Sequence, residues 1–251
     1  MGIQKREFND TVGQLPKGSD PNSTIANPTL NSRNLLLNPS STKSSSLNCT
    51  YELVVLGTSL GGLQALEVLL KGLPKTFPMP IAIVQHRHRG SDETLSVFLQ
   101  RYCALPLTEV EDKEIIRPGQ VYLAPADYHL LIELGWSWEH ETDEMRNPSF
   151  ALSTEAPVCH ARPSIDALFE SAADAFGERV IGVVLTGASH DGAQGLLKIK
   201  ARGGLAVIQE PKTAQARIMP QAAIAAVPTA KVLPLAEIAP FLVHLCHPAP
   251  R

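Results

Sequence analysis

The sequence predicts an α/β fold, a mostly parallel doubly wound sheet with helices on both faces and a short antiparallel hairpin excursion. Three observations lead there. From Tyr51 onward, short apolar runs at 53–56, 81–85, 180–185 and 205–208 alternate with stretches of helical spacing. The runs are almost wholly apolar rather than apolar at every second position, as expected of parallel strands covered on both faces. The 251 residues, 44% of them hydrophobic and with a net charge of −3, suffice for one sizeable core.

The first run, Leu53-Val54-Val55-Leu56, breaks on Gly57. It turns through Thr58-Ser59-Leu60-Gly61-Gly62 into a helix with apolar positions Leu63, Leu66, Leu69 and Leu70. The second run ends at Gln85-His86, and residues 93–103 then carry helical spacing through Leu95, Phe98 and Leu99. Segments 106–111, 120–124 and 129–134 read as shorter strands. Gly119 and Pro125-Ala126-Asp127 supply turns between them, which predicts the antiparallel excursion. Residues 135–160 read as polar and irregular. Pro163 opens a helix with Ile165, Leu168, Phe169 and Ala172 on one face. The run at 180–185 leads through Thr186-Gly187 to a helix that starts near Asp191 and carries Leu196, Leu197 and Ile199. Gly203-Gly204 close that helix. Beyond it come a strand at 205–208, an alanine-rich helix at 220–226, a strand at 231–233 and a helix at 235–245. The chain has no internal repeat.

Residues 1–50 stand apart, crowded with Asn, Ser, Thr, Pro and Gly and without apolar period. Such a segment cannot bury enough surface to offset its ordering entropy. It predicts a disordered polar tail, dispensable for folding and catalysis, before a folded domain at 51–246. Cys49, Cys103, Cys159 and Cys246 lie far apart with no C-x-x-C spacing. That pattern favours neither a zinc site nor a disulfide framework and fits a reducing cytosol. No apolar run approaches the ~20 residues that span a bilayer, and Lys5-Arg6 precede no apolar signal core. A cytoplasmic protein without membrane insertion is expected. The near-neutral charge, with no basic block, speaks against nucleic acid as a partner.

Three buried strands lead into reactive residues: Ser59, His86 and Asp191. In a parallel sheet the carboxyl ends of the strands share one edge, where ligands bind. Gly57-x-Ser59-x-Gly61 matches the nucleophile-elbow pattern, which presents a serine beside a helix N-terminus where negative charge is tolerated. The three residues are the parts of an acyl-transfer triad, with serine attacking, histidine taking its proton and aspartate orienting the imidazole. Each also has a plainer reading, Ser59 and Asp191 as helix N-caps and His86 as a cap of its strand or a partner of His88 in an adventitious metal site.

With these residues in place, the chain resembles the catalytic domain of CheB-type protein-glutamate methylesterases of bacterial chemotaxis, over about residues 52–245. Gly57-Thr58-Ser59-Leu60-Gly61-Gly62 is similar to the family's G-A-S-T-G-G turn and Gln85-His86 to its Q-H pair. Ala124-Pro125-Ala126-Asp127-Tyr128-His129 is similar to A-P-G-D-x-H. His160-Ala161-Arg162-Pro163-Ser164-Ile165-Asp166-Ala167-Leu168-Phe169 matches H-x-R-P-S-x-D-x-L-F. Leu185-Thr186-Gly187-Ala188-Ser189-His190-Asp191-Gly192-Ala193 resembles L-T-G-M-G-N-D-G-A. The resemblance implies hydrolysis of glutamyl methyl esters on chemoreceptor cytoplasmic helices or a related methylated protein, and deamidation of receptor glutamines. It implies catalytic Ser59, His86 and Asp191, oxyanion donors at the backbone of Ala188 and Leu60, and substrate contacts from Arg162 and His190. It implies no metal and no organic cofactor.

The departures are Leu60 for threonine, Ala188 for methionine, Ser189 for glycine and His190 for asparagine. If the oxyanion donors are backbone groups, the first two leave them in place. A glycine at 189 could use a backbone angle that serine resists. The loop His86-Arg87-His88-Arg89-Gly90-Ser91 is more basic than the family's M-P-P-G-F and is expected to alter which receptor segments are accepted. Typical members carry a receiver domain before the esterase; here the polar segment stands in that place, and control by aspartyl phosphorylation in cis is not expected. Two other readings compete. A small-molecule α/β-hydrolase would use Ser59, Asp191 and then His244 or His247, and an inactive adaptor of receptor arrays would need no triad.

Overall fold

The structure is a computed structural model and describes residues 50–90, 94–135 and 147–246. The predicted tail at 1–50 therefore lies outside the described residues except for its last position, and so does His247. Nine strands and six α-helices are present among the described residues: β1 (Leu53–Thr58), α1 (Gly62–Lys71), β2 (Ile81–Gln85), α2 (Thr94–Gln100), β3 (Leu107–Glu109), β4 (Val121–Leu123), β5 (His129–Leu134), β6 (Pro148–Ser153), α3 (Ile165–Phe176), β7 (Val180–Val184), α4 (Ala193–Ala201), β8 (Leu205–Gln209), α5 (Ile218–Ala226), β9 (Lys231–Leu233) and α6 (Leu235–Cys246). Seven strands form one parallel sheet in the order β3-β4-β2-β1-β7-β8-β9, and β5 pairs with β6 in a separate antiparallel ribbon.

Successive strand residues point to opposite faces, and each face carries its own core. Val55, Val84, Val180, Ala206 and Ile208 pack with Phe169 of α3, Leu196 of α4 and Ala223 of α5. Val54, Leu56, Ile83, Val183 and Val207 pack with Leu66 and Leu69 of α1, Leu99 of α2 and Leu242 of α6. Both faces of the central strands are apolar because both are covered. All six residues of β1 are buried. The chain builds outward from β1 on the β2 side and then returns to add β7 on the other. The switch point of the sheet is at β1, where Ser59 emerges.

The excursion differs in detail from the expectation. Residues 107–109 and 121–123 pair in parallel and extend the main sheet, so only 129–134 belongs to the antiparallel ribbon. Its partner is β6, inside the stretch read as irregular; its polar Ser149 and Ser153 hid a ribbon that lies over α3, where Ile132 N–H donates to Ser171 Oγ at 3.1 Å. Pro163 precedes the helix rather than opening it, since Ser164 is the N-cap of α3. Leu63 and Leu197 face outward from α1 and α4. Among the described residues no helix is long and apolar enough to cross a membrane.

Candidate active site

Ser59 comes directly after β1 and is half-buried. Its N–H donates to Thr186 O at 3.0 Å, and its carbonyl accepts from Gly62 N–H at 2.9 Å and from Gln85 Nε2 at 3.0 Å. Gly61 caps α1 at φ +80°, in the left-handed region that a side chain resists. The register Thr58↔Gln85 between β1 and β2 sets His86 beside Ser59, and His86 N–H donates to Thr58 O at 3.0 Å. Neighbouring parallel strands that end in register thus deliver serine and histidine to one edge.

Asp191 arrives from the turn after β7 and is 1% exposed. His86 Nε2 and Asp191 Oδ2 are 2.7 Å apart. An ionised carboxylate only accepts, so Nε2 carries the proton and Nδ1 is left as the acceptor on the imidazole. The rest of the carboxylate sits on the N-terminus of α3. Oδ2 also accepts from Ile165 N–H at 2.7 Å, and Oδ1 accepts from Asp166 N–H and from Ser164 Oγ, both at 2.9 Å. Burial alone would raise the pKa of Asp191; the His86 bond and the N–H groups of Asp166 and Ile165 outweigh it and hold the carboxyl below its ordinary range. Ser164 is fixed in turn by buried His129, whose Nδ1 accepts from Ser164 N–H at 3.2 Å. The segment at 160–169 therefore serves the site by building a carboxylate cradle.

Gly57 shows how tightly the cradle abuts β1. A Cβ there would overlap Ile165 Cγ2, and one at Gly192 would meet the same atom at 2.8 Å. Gly57→Ala should push Ile165, and with it the cradle, away from β1. The expected cost is about 1–3 kcal/mol of overpacking, read as a lowered urea midpoint with unchanged slope.

The N–H groups of Leu60 and Ala188 have no hydrogen-bond partner among the described residues. Both belong to turns held by Thr186, whose hydroxyl donates to Leu60 O at 2.9 Å and accepts from Ala216 N–H at 2.8 Å. Thr186 N–H donates to Gln209 Oε1 at 2.8 Å. Met219 and Ser59 both pack against Gly187, where a Cβ would overlap Met219 Sδ. Thr186 stands in the Leu185–Ala193 motif without a role there, and Gln209 and the 213–219 segment stand in none; their contacts reveal what they do. Ser189 is not among the residues with positive φ, so its backbone carries no penalty from the lost glycine. Its hydroxyl accepts from Asp191 N–H at 3.1 Å, which steadies the turn. His244 lies in the last turn of α6; the histidine bonded to Asp191 is His86, which removes the order required by the α/β-hydrolase reading.

A family model for CheB methylesterase matches residues 54–242. The chain belongs to the CheB methylesterase family. A Leptospira interrogans relative, assigned as a putative protein-glutamate methylesterase/protein-glutamine glutaminase, is 44% identical over 195 residues, covering 78% of this chain and 95% of its own. Protein-glutamate methylesterase FrzG of Myxococcus xanthus is 37% identical over 196 residues, or 77% of this chain, which spans only 54% of FrzG. The crystal structure of the Thermotoga maritima CheB methylesterase catalytic domain superposes with a TM-score of 0.71 at 32% identity. That match covers 78% of this chain and 98% of the other.

In this CheB-family chain the sheet edge at His86 opens into a cleft of about 770 Å³ lined by His86, His88, Arg89, His160, Ala188 and His190, among others. His190 is exposed there, as a substrate contact requires. Arg162, expected to contact substrate, lines the same cleft. Its Nε and an NH2 nitrogen donate to Asp127 Oδ1 at 3.0 and 2.7 Å, and NH1 donates to Thr154 O and Glu155 O. Its guanidinium ties three loops together at the wall of the cleft. Val158 and Ala161 pair across a two-residue turn, with Cys159 and His160 both at positive φ. That turn brings Cys159 Sγ within 4.8 Å of carboxylate oxygens of Asp166 and Asp191, the nearest approach to a metal-ligand group among the described residues. Burial and the charges of Asp191 and Asp166 push the thiol pKa up, and both carboxylates already accept N–H bonds.

Proposed function

We propose that this chain is a cytoplasmic serine hydrolase that removes methyl groups from glutamyl methyl esters on chemoreceptor-type helices, and that it also deamidates glutamines at such positions. The observation that carries this reading is the His86–Asp191 bond of 2.7 Å at the strand end next to the one that carries Ser59, together with the backbone donors at Leu60 and Ala188 left unbonded among the described residues. Family membership supports the ester class.

Ser59 Oγ attacks the side-chain ester carbonyl while His86 Nδ1 takes the hydroxyl proton. Asp191 stabilises the imidazolium and keeps Nε2 protonated throughout. The carbonyl oxygen gains negative charge and accepts from the N–H groups of Leu60 and Ala188, each such donor being worth about 10²–10³ in rate. The C–OCH3 bond breaks, and methanol leaves with the proton from His86. Water then adds to the acyl-serine by the same route and releases the glutamate carboxylate. A glutamine takes the same path with ammonia as the leaving group. The side chain of Leu60 is 56% exposed, so it can take part in seating the substrate while its backbone does the chemistry. His190 contacts substrate at the cleft rim.

The test is methanol release from methylated receptor cytoplasmic fragments. The wild-type chain should release methanol, and Ser59→Ala should not. Ammonia release from glutamine-bearing fragments should be lost in the same variant. Hydrolysis of small esters with no action on methylated fragments would overturn the substrate assignment.

A further inference from the structure

We propose that Asp166 is a positioning residue for the His86–Asp191 pair, locking the turn that presents Asp191 and governing the charge that Asp191 faces. The proposal rests on the assignment of Ser59, His86 and Asp191 as an esterase triad.

Two acidic residues exchange helix caps here. Asp191 precedes α4 yet accepts from the first N–H groups of α3, those of Ile165 and Asp166, and from the α3 N-cap hydroxyl of Ser164. Asp166 is the second residue of α3, yet its Oδ1 accepts from Gly192 N–H at 2.9 Å and Gly195 N–H at 2.7 Å, at the start of α4. Each carboxylate thus satisfies the other helix's orphan donors. The exchange clamps α3 to α4 at the point where Asp191 must meet His86. Gly195 makes the close approach possible, since a Cβ there would stand 3.1 Å from the Asp166 backbone.

The exchange also brings two buried carboxylates face to face, with oxygens within 4.8 Å. The titratable groups around Asp166 are Asp191, the Cys159 thiol and, beyond Asp191, His86. No lysine or arginine pairs with Asp166 among the described residues. Burial pushes the Asp166 carboxyl up, the Gly195 N–H bond opposes that, and the Asp191 charge adds to it, for a value of about 6. Below that value Asp166 is a neutral donor toward Asp191; above it a second negative charge stands behind the catalytic pair.

Stability then falls, rather than rises, with pH at this group. A carboxyl whose folded value lies above its ordinary 3.8 contributes fully below about pH 4, and the contribution is lost as pH rises through about 6. Asp166→Asn keeps an acceptor for the two glycine N–H groups and presents a permanent donor to Asp191, so it copies the protonated state.

Two measurements on the full chain test this. In thermal unfolding, the Tm of Asp166→Asn minus that of wild type should grow more positive from pH 4 to pH 7; a pH-independent difference would overturn the charge coupling, whether or not the protein is an esterase. In the methanol assay, Asp166→Ala should lose about 10²-fold in kcat, the scale of a 1 Å misplacement, with little change in KM. Asp166→Asn should recover most of that loss and move the acid limb of the kcat/KM profile to lower pH. Wild-type kcat in a folded Asp166→Ala variant, or an Asn variant with the Ala rate, would overturn the positioning role. A wild-type chain inactive on methyl esters would instead count against the function, and the Tm series would still decide the role of Asp166.

Discussion

Ser59→Ala, His86→Ala and the double variant should all fall to one residual rate of methyl-ester hydrolysis, on the order of 10⁶-fold below wild type in kcat. The serine can attack only as His86 accepts its proton, so removing either partner removes the same step. The second deletion then has nothing left to cost. The residual rate belongs to the Leu60 and Ala188 donors and to binding. KM should change little, because neither group holds the substrate in its ground state. His190→Asn sets the control. It lies in the same cleft and restores the family residue, but Asp191 does not touch it, so its effect should be confined to substrate affinity. Additive losses in the double variant, or an active His86→Ala beside a dead His190→Asn, would dismantle the assignment of the base.

The parts of this site on long central strands are legible in the sequence. Leu53, Val54, Val55 and Leu56, and likewise Val180 to Val184, are buried on both faces. Their apolar runs leave little choice but a parallel strand, and the residue after each run must then stand at the sheet edge. The short strands carry no such signal. Three residues at 107–109 and three at 121–123 do not reveal whether their neighbours run with or against them, and turn residues between them imitate a hairpin. Residues 148–153 mix serine with apolar side chains after a proline, a pattern shared by many loops. Charged residues are legible as motif members but not in role. Arg162 lines the cleft, yet its guanidinium also ties Asp127 to the carbonyls of Thr154 and Glu155. Asp166 resembles a first-turn acid of its own helix, yet it caps another. These roles depend on contacts such as Arg162 to Asp127, 35 residues apart, and Asp166 to Gly192 and Gly195, 26 and 29 residues apart, and no local pattern encodes them.

Asp191→Asn should cost kcat on the order of 10⁴-fold, retaining more than Ser59→Ala or His86→Ala, and should destabilise the fold as well. The wild-type carboxylate accepts four hydrogen bonds, two on each oxygen. An amide can accept on one side only. With its oxygen kept toward Ser164 and Asp166, its NH2 meets Ile165 N–H and His86 Nε2. Ile165 then loses its acceptor, at about 1–3 kcal/mol for a buried unsatisfied donor. The imidazole answers by turning Nε2 into the acceptor, which moves its proton to Nδ1 and leaves no base for Ser59. The flipped amide instead strands Asp166 N–H and the Ser164 hydroxyl, so neither orientation escapes a loss. The pH dependence runs opposite to that at Asp166. Asp191 is held below its ordinary value of 3.8, so its contribution is present above about pH 4 and lost as pH falls through the folded value. The stability gap between wild type and Asp191→Asn should therefore be widest near neutrality and close in acid. A gap that stays constant down to pH 3, or an Asn variant with wild-type kcat, would mean that the carboxylate charge is not what the cradle holds in place.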